Sequence, residues 1–221
     1  MQDLPVVDYD ISHDERNVVF TTQPSAGERQ IWLSPLDHSS PPRMIVQGGD
    51  FAFFGAEGEI IFRQLGEKSN SLSRMKLDGT QRELATQTPI IVLESVSRDG
   101  EWAVVGFSTE DARIQVTAVP IRGGPPRIIC SYCQTVWSAD GKFFYVRLPL
   151  TRTSPERTMA FPLQIPNSLP DLPAEGISSD WTPPAGVKIV ERAVIYPGPD
   201  PSTYVFTKTD LQRNLFRIPL H

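Results

Sequence analysis

With 221 residues, of which 39% are hydrophobic and 21% charged, the chain can bury a substantial core and reads as one ordered domain spanning residues 1–221. A formal charge of -5 without any lysine or arginine run argues against DNA or RNA as a direct partner. No apolar run reaches the ~18 residues that a spanning helix needs, and Met1-Gln-Asp-Leu-Pro5 lacks the basic start of a signal peptide.

The chain opens on alternation: Val7, Tyr9 and Ile11 interleave with Asp8, Asp10 and Ser12, placing apolar side chains on one face of a strand and acids on the other or at its rim. A turn, Ser12-His-Asp-Glu-Arg16, follows, and then a second strand that carries Phe20 and a third strand over 29–36. Gly48-Gly-Asp-Phe-Ala52 reads as a turn before the next innermost strand, since none of the other kinase motifs accompanies its Asp-Phe pair. The turn Gly55-Ala-Glu-Gly-Glu59 then leads to Phe62 and a third strand over 72–77. Asp99-Gly100 and Asp140-Gly141 tolerate positive φ in tight hairpins, so 102–107 and 143–146 read as second strands, followed by third strands over 113–121 and 157–163. The last third strand is expected over 214–220.

These segments repeat. The turns beginning at Ser12, Gly55, Ser97 and Ser138 are 43, 42 and 41 positions apart, and the strand ends Leu36, Leu77, Ile121 and Leu163 are 41, 44 and 42 apart. A period in the low forties with several strands per copy predicts an all-β propeller of about four regular four-stranded blades plus an irregular fifth. Phe20, Phe62, Phe107, Tyr145 and Phe206 recur on second strands, where stacked blades need bulky wedges. Because the chain starts on an innermost strand and stops after a third, the ring is expected to be incomplete or open, with an edge through which it could associate.

Residues 148–201 break the repeat with Pro162, Pro166, Pro170, Pro173, Pro183 and Pro184. Proline cannot donate to a sheet ladder, so this stretch is expected to be an irregular insertion running over the surface between the fourth and fifth blades. Long loops on rigid scaffolds carry binding, which makes Asp180 and Trp181 a candidate contact point for a partner; the competing role for Trp181 is to pin the loop to the blades.

Cys130 and Cys133 form an isolated C-x-x-C in strand context. No second pair or spaced histidines complete a zinc set, and no helix start is present to lower a thiol pKa, so structural thiols are expected. Positions i and i+3 of a straight strand face opposite ways, which frustrates a disulfide unless a bulge or turn intervenes. There is no G-x-S-x-G, H-E-x-x-H, phosphate loop or calcium loop, so no cofactor, metal or catalytic residue is predicted. Asp8, Asp10, Glu94, Asp99 and Asp140 could still gather at one rim.

Ser97-Arg-Asp-Gly-Glu101 and Ser138-Ala-Asp-Gly-Lys142 resemble the Ser-Pro-Asp-Gly-Lys turn of TolB-type, WD-repeat-like propellers, a similarity that runs over 7–163. Proline is replaced by His13, Arg98 or Ala139, and the second copy lacks the serine and aspartate. The tail over 196–220 is similar to the ends of bacterial proteins that place such repeats after a serine/threonine kinase or winged-helix domain. That resemblance implies a C-terminal sensor region of a larger signalling protein, in either the periplasm or the cytoplasm. Two functions compete: a non-catalytic module binding a protein, peptide or small ligand at its blade loops, or a propeller enzyme such as a lyase, lactonase or glycosidase. Acids converging with a histidine in one pocket would favour the enzyme.

Overall fold

The computed structural model describes residues 5–24, 28–56, 58–86, 88–149, 156–178, 180–191, 195–198 and 200–206. Four antiparallel four-stranded sheets form along it in chain order. Blade 1 comprises β1 (Val6–Ile11), β2 (Asn17–Thr22), β3 (Gln30–Pro35) and β4 (Arg43–Gln47). Blade 2 comprises β5 (Gly49–Phe54), β6 (Glu59–Gln64), β7 (Ser71–Lys76) and β8 (Glu83–Leu84). Blade 3 comprises β9 (Val92–Val96), β10 (Trp102–Ser108), β11 (Ile114–Pro120) and β12 (Arg127–Ser131). Blade 4 comprises β13 (Gln134–Trp137), β14 (Phe143–Leu148), β15 (Arg157–Pro162) and β16 (Lys188–Val190). A two-stranded hairpin, β17 (Ile195–Pro197) and β18 (Tyr204–Phe206), follows. The all-β propeller blades expected from the repeat are therefore present, with no helix among the described residues; the strand expected over 214–220 lies outside them.

The innermost strands β1, β5, β9 and β13 lie side by side, and each blade interface has its own apolar core. Val19, Ile31, Phe54, Ile60 and Phe62 fill the interface of blades 1 and 2. Ile61, Leu72, Leu93, Ala103 and Val105 fill that of blades 2 and 3. Val104, Val116, Trp137, Phe144 and Val146 fill that of blades 3 and 4. Consecutive residues such as Ile60/Ile61 and Val104/Val105 thus serve opposite faces, because strand side chains alternate. Full burial of a side chain of this size stabilises by about 1.5–3 kcal/mol.

The alternation in β1 is confirmed, but its faces are assigned by the neighbouring blade. Asp8 and Asp10 point toward blade 2, while Val7, Tyr9 and Ile11 are exposed, Tyr9 at 67%. Tyr9 pairs with Phe20, Phe20 with Trp32 and Trp32 with Met44, so an apolar row crosses the face of blade 1 turned away from blade 2. The second-strand aromatics accordingly differ: Phe62 and Tyr145 are buried, Phe107 packs against the core between blades 2 and 3, Phe20 is half-buried on the face turned away from blade 2, and Phe206 is exposed.

The hairpin turns explain the repeated serine and aspartate. Ser12, Ser97 and Ser138 each donate to the aspartate two residues on, at 2.6, 2.6 and 2.7 Å. Each hydroxyl also accepts the amide five residues on, at 2.9 Å in all three turns. Gly100 (φ 68°) packs so closely on the blade 2 turn that a Cβ there would lie 2.1 Å from the Ala56 amide nitrogen, which only glycine avoids.

The proline-rich stretch runs along blades 3 and 4. Ile177 donates to the Ile129 carbonyl at 2.7 Å, Trp137 Nε1 to the Ser168 carbonyl at 3.1 Å and Arg127 to the Pro170 carbonyl at 3.3 Å. Cys130 and Cys133 form a disulfide, correcting the expectation of free structural thiols. The reason is the turn between β12 and β13, where Tyr132 adopts φ 56° and breaks the straight-strand geometry that would hold the sulfurs apart.

Candidate functional site

The turn ends of the innermost strands surround a cavity of about 540 Å³ with walls from all four blades. Ile11, Phe53, Phe54, Val96 and Trp137 make it largely apolar, and Asp10, His13 and Arg98 supply its charge. β1 delivers Asp10 to this end, and Asp10 Oδ2 accepts the Phe54 amide at 2.8 Å. Burial, only partly offset by that bond, pushes the Asp10 carboxyl up to about 6. His13 occupies the place that proline holds in the family turn, and burial followed by the neighbouring Arg98 charge lowers its imidazole pKa.

Arg98 is the hub of this mouth. Its guanidinium donates to the Ala139 carbonyl at 2.5 Å and to the His13 carbonyl at 3.2 Å, so one side chain from blade 3 ties the turns of blades 4 and 1. A planar fork of donors suits this bridging of two fixed carbonyls. In the sequence Arg98 is visible only as a departure from proline in the turn; its partners are 41 and 85 residues away.

The five carboxylates considered from sequence do not meet. Asp99 and Asp140 hold their own turns, and the Ser138 hydroxyl brings the Asp140 carboxyl down to about 2. Asp8 accepts the Thr21 hydroxyl at 2.8 Å, and burial raises its pKa. Glu94 lines two other cavities, where burial likewise raises its pKa. The turn-end cavity does collect Asp10 and Glu15 with His13, although no hydrogen bond joins them and no metal-binding group of three or more such residues occurs among the described residues.

Asp180 and Trp181 are elsewhere. Trp181 lies near-parallel to Phe161, with ring centroids 6.1 Å apart, and its carbonyl accepts from Arg157 at 3.1 Å. Asp180 is exposed and accepts the Ser178 hydroxyl at 2.6 Å, which lowers its pKa. Both features place this pair on the insertion beside blade 4, away from the turn-end cavity.

Asp50, read from sequence as part of a turn, lies within β5 at a bulge and is fully buried. It accepts from Arg63 Nε and Nη2, both at 2.6 Å, and from Arg29. Arg63 also donates to the Ile91 carbonyl, linking blade 2 to the start of blade 3, and stacks over Phe51 at 4.8 Å.

No protein-family model matches the chain, and no curated protein matches it. Among solved structures it is similar to TolB from Acinetobacter baumannii, with 14% identity and a TM-score of 0.61 over 91% of this chain and 50% of that one. A protein assigned as TolB from Agrobacterium tumefaciens aligns at 15% identity and TM-score 0.55, over 82% of this chain and 63% of that one. The propeller domain of the trilobed protease from Pyrococcus furiosus, described as having an open velcro topology, aligns at 13% identity and TM-score 0.51, over 71% and 53%. The chain spans less than two thirds of the length of each. At these identities the likeness establishes the fold alone, a β-propeller similar to that of the two TolB structures.

Proposed function

We propose that the chain is a non-catalytic recognition or sensor module that binds a protein, peptide or small ligand at the turn-end cavity, as part of a larger bacterial signalling protein. The observation that carries this reading is that most of the cavity's polar groups are engaged in structural bonds within or between the blades. Asp10 is tied to Phe54, Arg98 to two carbonyls, and Ser12 and Ser138 to their own turns. What remains is a mostly apolar concavity with fixed charge at its mouth, which is the make-up of a ligand site. The wider setting rests on the resemblance of the tail to kinase and winged-helix parents; none of the three compared structures is of that kind.

Titrating a tripeptide library against isotope-labelled protein and following His13 and the Trp137 indole tests the reading. Saturable shifts at those two residues, abolished by an Ile11→Lys substitution that brings charge into the cavity from an exposed position, are expected. A library without effect there would overturn it.

One observation favours a second reading, a propeller enzyme. Asp10, whose carboxyl burial pushes up to about 6, lines the same cavity as His13, and both side chains are of the kind that serves in general acid–base chemistry. Turnover of glycoside, lactone or uronate substrates that disappears in Asp10→Asn would establish it.

A further inference from the structure

Blade 4 and the β17–β18 hairpin enclose a cavity of about 450 Å³ whose walls hold two polar groups in want of a partner. Tyr145, on β14, is 2% exposed, and its buried Oη makes no hydrogen bond. A buried hydroxyl left unmatched carries an uncompensated desolvation penalty, so it marks a place where a ligand atom gains more than it would in water. Glu94, on β9, reaches the same cavity, and no described residue donates to its carboxylate; burial alone raises its pKa.

The remaining charges determine what fits. Arg147 also lines the cavity, but its guanidinium is spoken for: Nε and Nη2 bind Glu156 Oε1 at 2.9 and 2.5 Å, and Nη1 binds Gln134 Oε1 at 2.6 Å. Asp200, in the β17–β18 turn, acts electrostatically on Tyr145 and is itself influenced by Lys188. Asp140, which also acts on Tyr145, is paired with Lys142 at 3.1 Å, and counting Glu94, Glu156, Asp200 and Asp140 against Arg147, Lys188 and Lys142 leaves one uncompensated negative charge. The exposed ring of Tyr196 and the apolar Pro197 border the opening. Acceptors without donors, a surplus carboxylate and an aromatic face together describe a cation site.

We propose that this cavity binds an ammonium or guanidinium group, with Glu94 as its counter-ion and Tyr145 Oη as its second acceptor. It shares only Val136 with the turn-end cavity and does not depend on the recognition reading advanced above. The cation can be a basic side chain of a peptide or a free small amine.

Calorimetric titration with N-acetyl-arginine amide, with its neutral citrulline analogue as control, tests the proposal. The arginine compound is expected to bind and the analogue not to. Glu94→Gln should weaken binding about tenfold and Tyr145→Phe about threefold, with melting temperatures at or above the parent's. Equal binding of the two compounds, no binding of either, or unaltered binding in Tyr145→Phe would overturn it, and the last variant, which only deletes an unmatched hydroxyl, retains the fold. Tighter binding of an arginine-centred tripeptide assigns the cation to a peptide, and equal binding assigns it to a small amine; both outcomes uphold the site.

Discussion

The Asp10 carboxylate accepts the Phe54 amide at 2.8 Å and so joins the end of β1 to the end of β5 across the first blade interface. The bond is not enough to offset removal of the charge from water, and the carboxyl sits near 6 in the folded protein against an ordinary 3.8. The folded state therefore holds a proton that the unfolded state has released between those values, and stability falls as pH rises through that window. Asp8 and Glu94, raised by burial as well, add in the same direction. Asp10→Asn cannot ionise but still offers an oxygen to Phe54. It is expected to match the parent at pH 4 and to exceed it at pH 7 by about 1–2 kcal/mol in urea unfolding. A variant less stable than the parent at pH 7 would show that the charge itself holds the interface.

The Ser97 hydroxyl serves two partners at once, donating to Asp99 at 2.6 Å and accepting the Trp102 amide at 2.9 Å. Ser97 is fully buried, so alanine strands the Trp102 amide, while the exposed Asp99 keeps the Glu101 amide at 3.1 Å. Ser97→Ala is expected to cost about 1–3 kcal/mol, and Ser138→Ala a similar amount, since its distances are 2.7 and 2.9 Å. Denaturant midpoints measure both. A loss confined to one of them would show that the repeated motif does not do the same work in each blade.

These turns were legible because every atom involved lies within five residues, and local chemistry leaves a local pattern. The period of the strand ends was legible for a related reason, since each blade must return to the same radius. Which side of β1 is covered was not legible: alternation marks two faces, but only blade 2 decides that Asp8 and Asp10 turn inward and Tyr9 outward. The disulfide was hidden because nothing in Ser131-Tyr132 announces that Tyr132 takes φ 56°. In the sequence Arg98 is a turn departure and Tyr145 a core wedge; the two carbonyls that Arg98 binds lie far off in the chain. Asp50 was missed for the same reason: its two arginines are 21 and 13 residues away.

Reduction of the Cys130–Cys133 bond gives a third prediction. It closes a very short loop across the junction of β12 and β13, so the chain-entropy gain is modest, about 2 kcal/mol. The double variant Cys130→Ala/Cys133→Ala should unfold at lower denaturant than the oxidised parent and be indifferent to reductant. Since Ile177 donates to Ile129 beside Cys130, hydrogen exchange at Ile177 should quicken in that variant. Equal midpoints for the oxidised parent and the double variant would mean that the turn holds this junction without the bond.

Asp50 is the strongest case. Its carboxylate is fully buried, and removing it leaves Arg63, whose side chain is 12% exposed, with its charge facing Arg29. Breaking a buried pair by deleting one partner costs about 3–5 kcal/mol, because the surviving charge keeps its desolvation penalty. Asp50→Ala is therefore expected to lose that much, enough to endanger folding of the chain at 37 °C given the about 5–15 kcal/mol that separates folded from unfolded domains. Asp50→Asn retains two acceptor positions' worth of shape but only one oxygen, and should fall between. Removing Arg63 along with the anion distinguishes charge from packing: Asp50→Leu/Arg63→Met should recover part of the loss, since the more buried cation leaves with the anion and only Arg29, whose side chain is 34% exposed, keeps its charge. If Asp50→Ala unfolds with the parent's midpoint, the cluster contributes no stability, and its burial at the start of β5 would have to be explained by the Arg63 link to the Ile91 carbonyl of the next blade.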